Sequence, residues 1–210
     1  MNDDNDKNLI SHWNERFCNG GSWEKSNGIR QTIYWAKVIL EYLPAYIKKD
    51  IKDNKFSIAD IGCGLGQMSQ LFKKTYKDSR VVGYDFSNVA IDRCIEKYNN
   101  IEFFNSNIEE NYDVVVLSNI IEHVRNPVEM VSEHMQYTNK YLIVLCPYME
   151  NPNKLISEHV ISIDEDILTY RIDGFRKVFQ KINNVAKSSH WFGNVIFCVY
   201  KREIKGDICE

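Results

Sequence analysis

From Phe56 onward, short apolar runs rich in β-branched and aromatic residues alternate with segments whose apolar residues recur at helical spacing. Strands separated by helices cannot pair as hairpins, so this rhythm builds a parallel sheet with helices on both faces. Strands are expected at Phe56–Ile61, Arg80–Tyr84, Ile101–Asn105, Asp113–Leu117 and Tyr141–Cys146, each apolar enough to be covered on both sides. Helices are expected at Gln67–Thr75, Asn88–Tyr98 and Pro127–Tyr137. Further on, Phe175–Ala186 and Val195–Lys201 read as strands joined by the turn-like Lys187–His190 region, and two strands without a crossover helix must run antiparallel. The expectation is an α/β fold: a mostly parallel seven-stranded sheet ending in an antiparallel hairpin.

Ahead of this pattern, residues 1–30 are polar and carry Gly20-Gly21-Ser22-Trp23-Glu24, read as a surface loop anchored by Trp23. Apolar residues between Gln31 and Ile47 suggest one amphipathic helix, followed by a charged stretch from Lys48 to Lys55. With 210 residues, no internal repeat and no low-complexity linker, a single domain is expected. Within it, residues 1–47 would form an N-terminal lid and helix, 56–148 a ligand-binding core, and 149–210 a covering segment and hairpin.

Composition narrows the partners. Hydrophobic residues make up 44% and charged residues 26%, as a packed core with a solvated surface requires. The net charge is −3, and lysines and arginines are interspersed with acids, so there is no electrostatic footprint for nucleic acid. Cys18, Cys63, Cys94, Cys146, Cys198 and Cys209 form no CxxC pair, and several lie in apolar runs, as reduced cytoplasmic thiols do. The start Met1–Lys7 is acidic and polar where a signal peptide needs a basic start and an apolar core, and no apolar run reaches membrane-spanning length. A cytoplasmic protein without membrane or nucleic-acid partners is expected.

The segment from Phe56 to Met68 is a strand, a turn with glycines at 62, 64 and 66, and a helix start. Glycines let the chain turn tightly and let a ligand approach the backbone. Asp60 sits at the strand's end, where open α/β sheets bind ligands, and the helix start offers free N–H groups. The next strand ends in Asp85, which lies beside this loop if the two strands are neighbours. A carboxylate there can accept from both hydroxyls of a ribose. The dinucleotide fingerprint is GxGxxG, whereas Gln67 stands here where its third glycine would be, which argues against a nicotinamide-dependent oxidoreductase.

With these two features the sequence resembles the class I, Rossmann-like methyltransferases, whose first motif is an acidic residue, one residue, then GxGxG, and whose second strand ends in a ribose-binding acid. The resemblance implies S-adenosyl-L-methionine as cofactor, with Asp60, Gly62, Cys63, Gly64, Gly66 and Met68 around its methionine end and Asp85 and Phe86 at the ribose. Asn107 and Ile108 resemble the adenine-recognising segment, with Asn107 where the family carries Asp; an amide oxygen can still accept from an amino group. Ser118 and Asn119, after the fourth strand, would border the cofactor.

The following Glu122-His123 pair resembles that of small-molecule O-methyltransferases, where it faces the acceptor; in many relatives the same pair caps the next helix. His159 resembles a histidine that precedes an acceptor-covering helix. Glu122, His123 and His159 are thus the catalytic candidates, with Tyr148 and His190 as weaker ones. The spacing of these residues does not make a metal-ligand set, and no metal is expected. Gly20–Glu24 with Gly28–Thr32 looks like the lid of small bacterial methyltransferases associated with surface-polysaccharide genes. Together these readings imply methyl transfer to oxygen or nitrogen of a small polar acceptor, such as a sugar or nucleotide-linked intermediate. A non-catalytic methyltransferase-like binding subunit is the remaining alternative.

Overall fold

The computed structural model describes residues 9–156, 158–188 and 191–203. Four helices come first: α1 Ile10–Phe17, α2 Ser22–Lys25, α3 Gly28–Tyr42 and α4 Ala45–Asp53. Then β1 Ile58–Ile61, α5 Gln67–Thr75, β2 Val81–Tyr84, α6 Asn88–Lys97, β3 Glu102–Phe104 and β4 Tyr112–Ser118 follow in the alternating order. A 3-10 turn, Ile121–His123, leads to α7 Pro127–Gln136, and the chain closes with β5 Thr138–Tyr148, β6 Arg171–Ile172, β7 Phe175–Asn184 and β8 Asn194–Arg202.

One sheet holds all these strands in the order β3-β2-β1-β4-β5-β8-β7-β6. The first five are parallel, and β8 inserts antiparallel between β5 and β7. The direction of strand succession reverses between β1 and β4, and in open α/β sheets the crevice beyond that reversal is where ligands bind.

Alternation along the strands divides the core. In β4, Val114 and Val116 face a layer made by Trp35 and Ile39 of α3, Ile47 and Ile51 of α4 and Phe72 of α5. Val115 and Leu117 face the opposite layer, with Val131 and Met135 of α7 and with Ile163 and Leu168. A smaller cluster of Trp13, Phe17, Leu65 and Ala90 fastens α1 over the glycine loop and α6.

The structure departs from the sequence expectation in several places. The single helix expected over Gln31–Ile47 is two, because Leu43, ahead of Pro44, is extended (ψ 125°) and Pro44 then caps α4. The charged stretch after it is helical too, with Ile47 and Ile51 buried and the lysines on the solvent side. Ser22–Lys25 forms a helical turn where a loop was expected, and α1 had no expected counterpart. An eighth strand, Arg171–Ile172, folds back on Phe175 and Arg176 around Asp173 and Gly174, both with positive φ. Two residues are too few to show a period in sequence.

Candidate active site

β1 delivers Asp60 into the interior, 2% exposed, where its Oδ2 accepts from the Ser69 hydroxyl of α5 at 2.5 Å. Because β1 and β2 are parallel with Ile61 opposite Tyr84, the residue after β2 meets the loop after β1. Asp85 Oδ2 accepts from the Gly64 N–H at 2.8 Å, and its Oδ1 accepts from the Ser87 N–H at 2.8 Å. Gly64 has φ +52°, which favours glycine, and a Cβ there would stand 3.2 Å from the Phe17 ring of α1, so any larger residue would press on that ring.

A cavity of about 870 Å³ opens from this loop across the ends of β1, β2 and β4. Asp60, Gly62, Cys63, Gly64, Met68, Asp85, Phe86, Asn107, Ile108, Ser118 and Asn119 all line it. Gly66 is absent from that lining: its φ is +75°, and a Cβ would meet Tyr98, Cys94 and Phe103 on the helix side. Gly66 thus stands at the turn into α5, behind the cavity wall that its neighbours form. Asn119 takes φ +54° at the end of β4 and donates its backbone N–H to Leu145 at 2.8 Å, which turns the chain toward the 3-10 turn.

That turn brings in the catalytic candidates. Glu122 is fully buried, and neither of its carboxylate oxygens accepts a hydrogen bond among the described residues. Its backbone carbonyl accepts from the Val160 N–H at 2.9 Å, which docks the segment carrying Glu158 and His159 onto the turn. His123 Nδ1 lies 2.9 Å from the Glu158 carbonyl, and His159 Nδ1 lies 2.7 Å from Glu150 Oε2. Glu122, His123 and His159 thereby meet, one ligand-type atom of each within 4.8 Å of the others, and all three line the cavity. Spacing in the sequence concealed this grouping because docking of the 158–160 segment creates it. The cap of α7 is not the Glu-His pair; the Asn126 side chain accepts from the Glu129 N–H, with Pro127 at the first helical position.

Tyr148 is turned away, donating its hydroxyl to Glu165. His190 lies outside the described residues, as does Cys209. The sequence reading expected an N-terminal lid with Trp23 but missed Trp13, Arg16 and Phe17. Trp13 and Phe17 stack at 5.5 Å, and the Arg16 guanidinium sits 5.0 Å from the Trp13 ring and 5.1 Å from the Trp23 ring while pairing with Glu158. Trp13, Arg16, Phe17, Trp23, Trp35 and Trp191 all line the cavity. The spacing of Trp13 and Phe17, four apart on one helical face, was the available signal.

Burial sets the electrostatics. It raises the carboxyl of Asp60 to about 7, with the Ser69 bond opposing and Asp85 adding to the rise. It raises Asp85 to about 6 against the two backbone N–H bonds, and Glu122 to about 7. His123 is pushed down to about 4 by burial and so is neutral. His159 moves up: burial opposes its charge, but the bond to Glu150 and the nearby Glu122 outweigh it.

Residues 59–139 match the family model described as a methyltransferase domain. The putative methyltransferase 235L of Invertebrate iridescent virus 6 is 28% identical over 150 residues, 67% of this chain and 46% of that protein. The malonyl-[acyl-carrier protein] O-methyltransferase of Halalkalibacterium halodurans is 24% identical over 98 residues, 41% of this chain and 36% of that protein. The chain thus spans less than half the length of these curated relatives. Among solved structures, magnesium protoporphyrin IX methyltransferase from Synechocystis PCC 6803 with bound SAH superposes with a TM-score of 0.61 at 14% identity, over 80% of this chain and 83% of that one. Among the described residues, no helix is long and apolar enough to cross a membrane. The match over residues 59–139 and the likeness to solved methyltransferases agree on the architecture: the mostly parallel sheet with its antiparallel hairpin is a Rossmann-like methyltransferase fold.

Proposed function

We propose that this chain is an S-adenosyl-L-methionine-dependent methyltransferase acting on an oxygen or nitrogen of a small polar acceptor. The observation that carries the reading is the contact between the Gly64 N–H and Asp85 in the wall of the cavity. It leaves the remaining lone pairs of a buried carboxylate for two ribose hydroxyls. In this reading Asp60 and the backbone at Gly62, Cys63 and Gly64 hold the methionine end, with Met68, Ser118 and Asn119 beside it. Phe86 lies beside Asp85 at the ribose, and Asn107 and Ile108 hold the adenine side.

A sulfonium methyl is already an activated electrophile, so the protein's task is to hold it in line with the acceptor's nucleophile and to accommodate that nucleophile's proton. No covalent enzyme intermediate is required. Glu122, His123 and His159 form the polar wall against which the acceptor atom is proposed to lie. The rest of the chamber favours an uncharged ring as acceptor. Trp13, Trp23 and Trp191 offer flat apolar faces, Glu122, Glu133 and Glu158 supply acid, and the guanidinium of Arg16 is held by Glu158. A sugar of cell-surface assembly fits this wall better than a phosphate-bearing, nucleotide-linked one.

Calorimetry with S-adenosylmethionine and its demethylated product tests the cofactor, and turnover with sugars and nucleotide sugars tests the acceptor. Absence of binding at micromolar concentrations sinks the proposal. Binding without turnover on any acceptor supports a binding subunit instead.

A further inference from the structure

Glu122, His123 and His159 lie too far apart to be hydrogen-bonded to one another and close enough to share an ion. The Nε2 of His123 is 3.9 Å from Glu122 Oε1, beyond a hydrogen bond, and the three ligand atoms span at most 4.8 Å. Ligands bound to one cation at about 2.0–2.2 Å stand roughly 3–3.5 Å apart, so closing the cluster needs shifts of about 1 Å.

The tautomers are set for ligation. The Glu158 carbonyl oxygen can only accept, so His123 Nδ1 carries the proton and its Nε2 holds a lone pair. Glu150 does the same for His159 at 2.7 Å, leaving His159 Nε2 to point elsewhere. Metal-bound histidines are held in this way, with the second nitrogen donating to a carbonyl or carboxylate that fixes the ring. Glu122 supplies the anion: it is fully buried in the cavity wall, and no hydrogen bond among the described residues satisfies either oxygen. A buried carboxylate without hydrogen bonds is costly unless a proton or a cation neutralises it, and a cation can take the proton's place there.

We infer that Glu122, His123 and His159 bind a divalent first-row transition cation, of the Mn²⁺ or Zn²⁺ kind, at the acceptor side of the cavity. Two imidazoles and one carboxylate suit such ions better than Mg²⁺ or Ca²⁺, which favour oxygen ligands throughout. Three protein ligands leave positions open toward the cavity, where a hydroxyl oxygen of the acceptor can coordinate. That last role rests on the proposed methyl transfer; the binding of the ion does not.

The test is Mn²⁺ binding to the full chain, followed by calorimetry and by loss of the free-ion electron paramagnetic resonance signal, with Mg²⁺ and Zn²⁺ in parallel. One equivalent of Mn²⁺ is expected to bind at micromolar concentration, with Mg²⁺ failing to displace it at tenfold excess. Glu122→Gln and His159→Ala should each weaken it by about 100-fold or more, and Glu150→Ala by about 10–100-fold through the lost orientation of His159. The variants' far-ultraviolet circular dichroism and affinity for S-adenosylhomocysteine monitor their fold. Should Glu122→Gln fail to fold, His123→Gln replaces it. No Mn²⁺ or Zn²⁺ binding by the folded wild-type chain, or binding undiminished in the variants, overturns the inference. Cofactor binding without ion binding would sink this inference alone, and ion binding without cofactor binding would sink the proposed function alone.

Discussion

Replacing Asp85 by Asn is the sharpest probe of the proposed cofactor site, because the change keeps shape and burial and alters only hydrogen-bond polarity. The carboxylate has four acceptor positions, and the N–H groups of Gly64 and Ser87 occupy one on each oxygen at 2.8 Å. Two remain, one per ribose hydroxyl in the proposed complex. The amide retains acceptors on one oxygen only and turns two N–H groups toward either Gly64 or Ser87, donor against donor. The complex therefore loses one charge-assisted hydrogen bond, about 1.5–3 kcal/mol, and has its second weakened by loss of charge. A total near 3 kcal/mol corresponds to an affinity for S-adenosylhomocysteine lower by about 100-fold. Titration calorimetry at pH 8 measures this, with thermal unfolding of the cofactor-free variant as the control for fold. A folded Asp85→Asn chain that binds within about threefold of wild type, well under one hydrogen bond's worth, would refute the assignment of Asp85 to the ribose.

Asp60 and Asp85 have folded pKa values of about 7 and about 6, above the usual carboxylate value in an unfolded chain, so the cofactor-free fold loses stability as pH rises from about 4 to about 7 and is level above that. A cofactor that needs both groups ionised should raise the melting temperature more at pH 8 than at pH 5.5, and equal shifts in differential scanning fluorimetry would contradict this. Gly66→Ala combines positive φ with a Cβ 2.8 Å from Tyr98 and 3.0 Å from Cys94 and Phe103, so a loss of about 2–4 kcal/mol is expected in denaturant unfolding. An unchanged midpoint would show that the turn relaxes freely. Arg16→Ala removes the cation held by Trp13, Trp23 and Glu158, and should speed proteolytic cleavage near Gly20 and Gly21 while leaving the unfolding free energy within about 1 kcal/mol of wild type. Cleavage at the wild-type rate would show that the lid is held by its aromatic stacking alone.

The parts of the fold readable in the sequence were those where one physical rule dominates. β1, β2, β4 and β5 are buried on both faces, so their composition announces them whatever lies beside them. Glycine spacing and the acid after β2 were equally plain, since φ of +52° and +65° restricts the residue type at Gly64 and Gly62 directly. The helix break at Leu43–Pro44 went unread because Ile47 and Ile51 continue the apolar spacing across it, and the strand Arg171–Ile172 is too short for any period.

The proposed acceptor side was legible only as separate residues, and the reason lies in what joins them. Asp60 and Asp85 are brought together by strand pairing, which the alternation of elements foretells. Glu122 and His159 are brought together by one backbone bond, Val160 N–H to the Glu122 carbonyl, from a segment without regular structure. No periodicity encodes such a contact. Its side-chain counterpart is the ion pair of Arg16 with Glu158, which ties the lid to the same segment and carries no spacing rule either. Because Glu158 also offers its carbonyl to His123, that one residue links the lid, the 3-10 turn and the proposed acceptor wall. Loss of the lid contact would consequently be felt first in the orientation of His123 rather than at the glycine loop, which has its own support from Asp85 and from the stacking of Phe17 on Trp13.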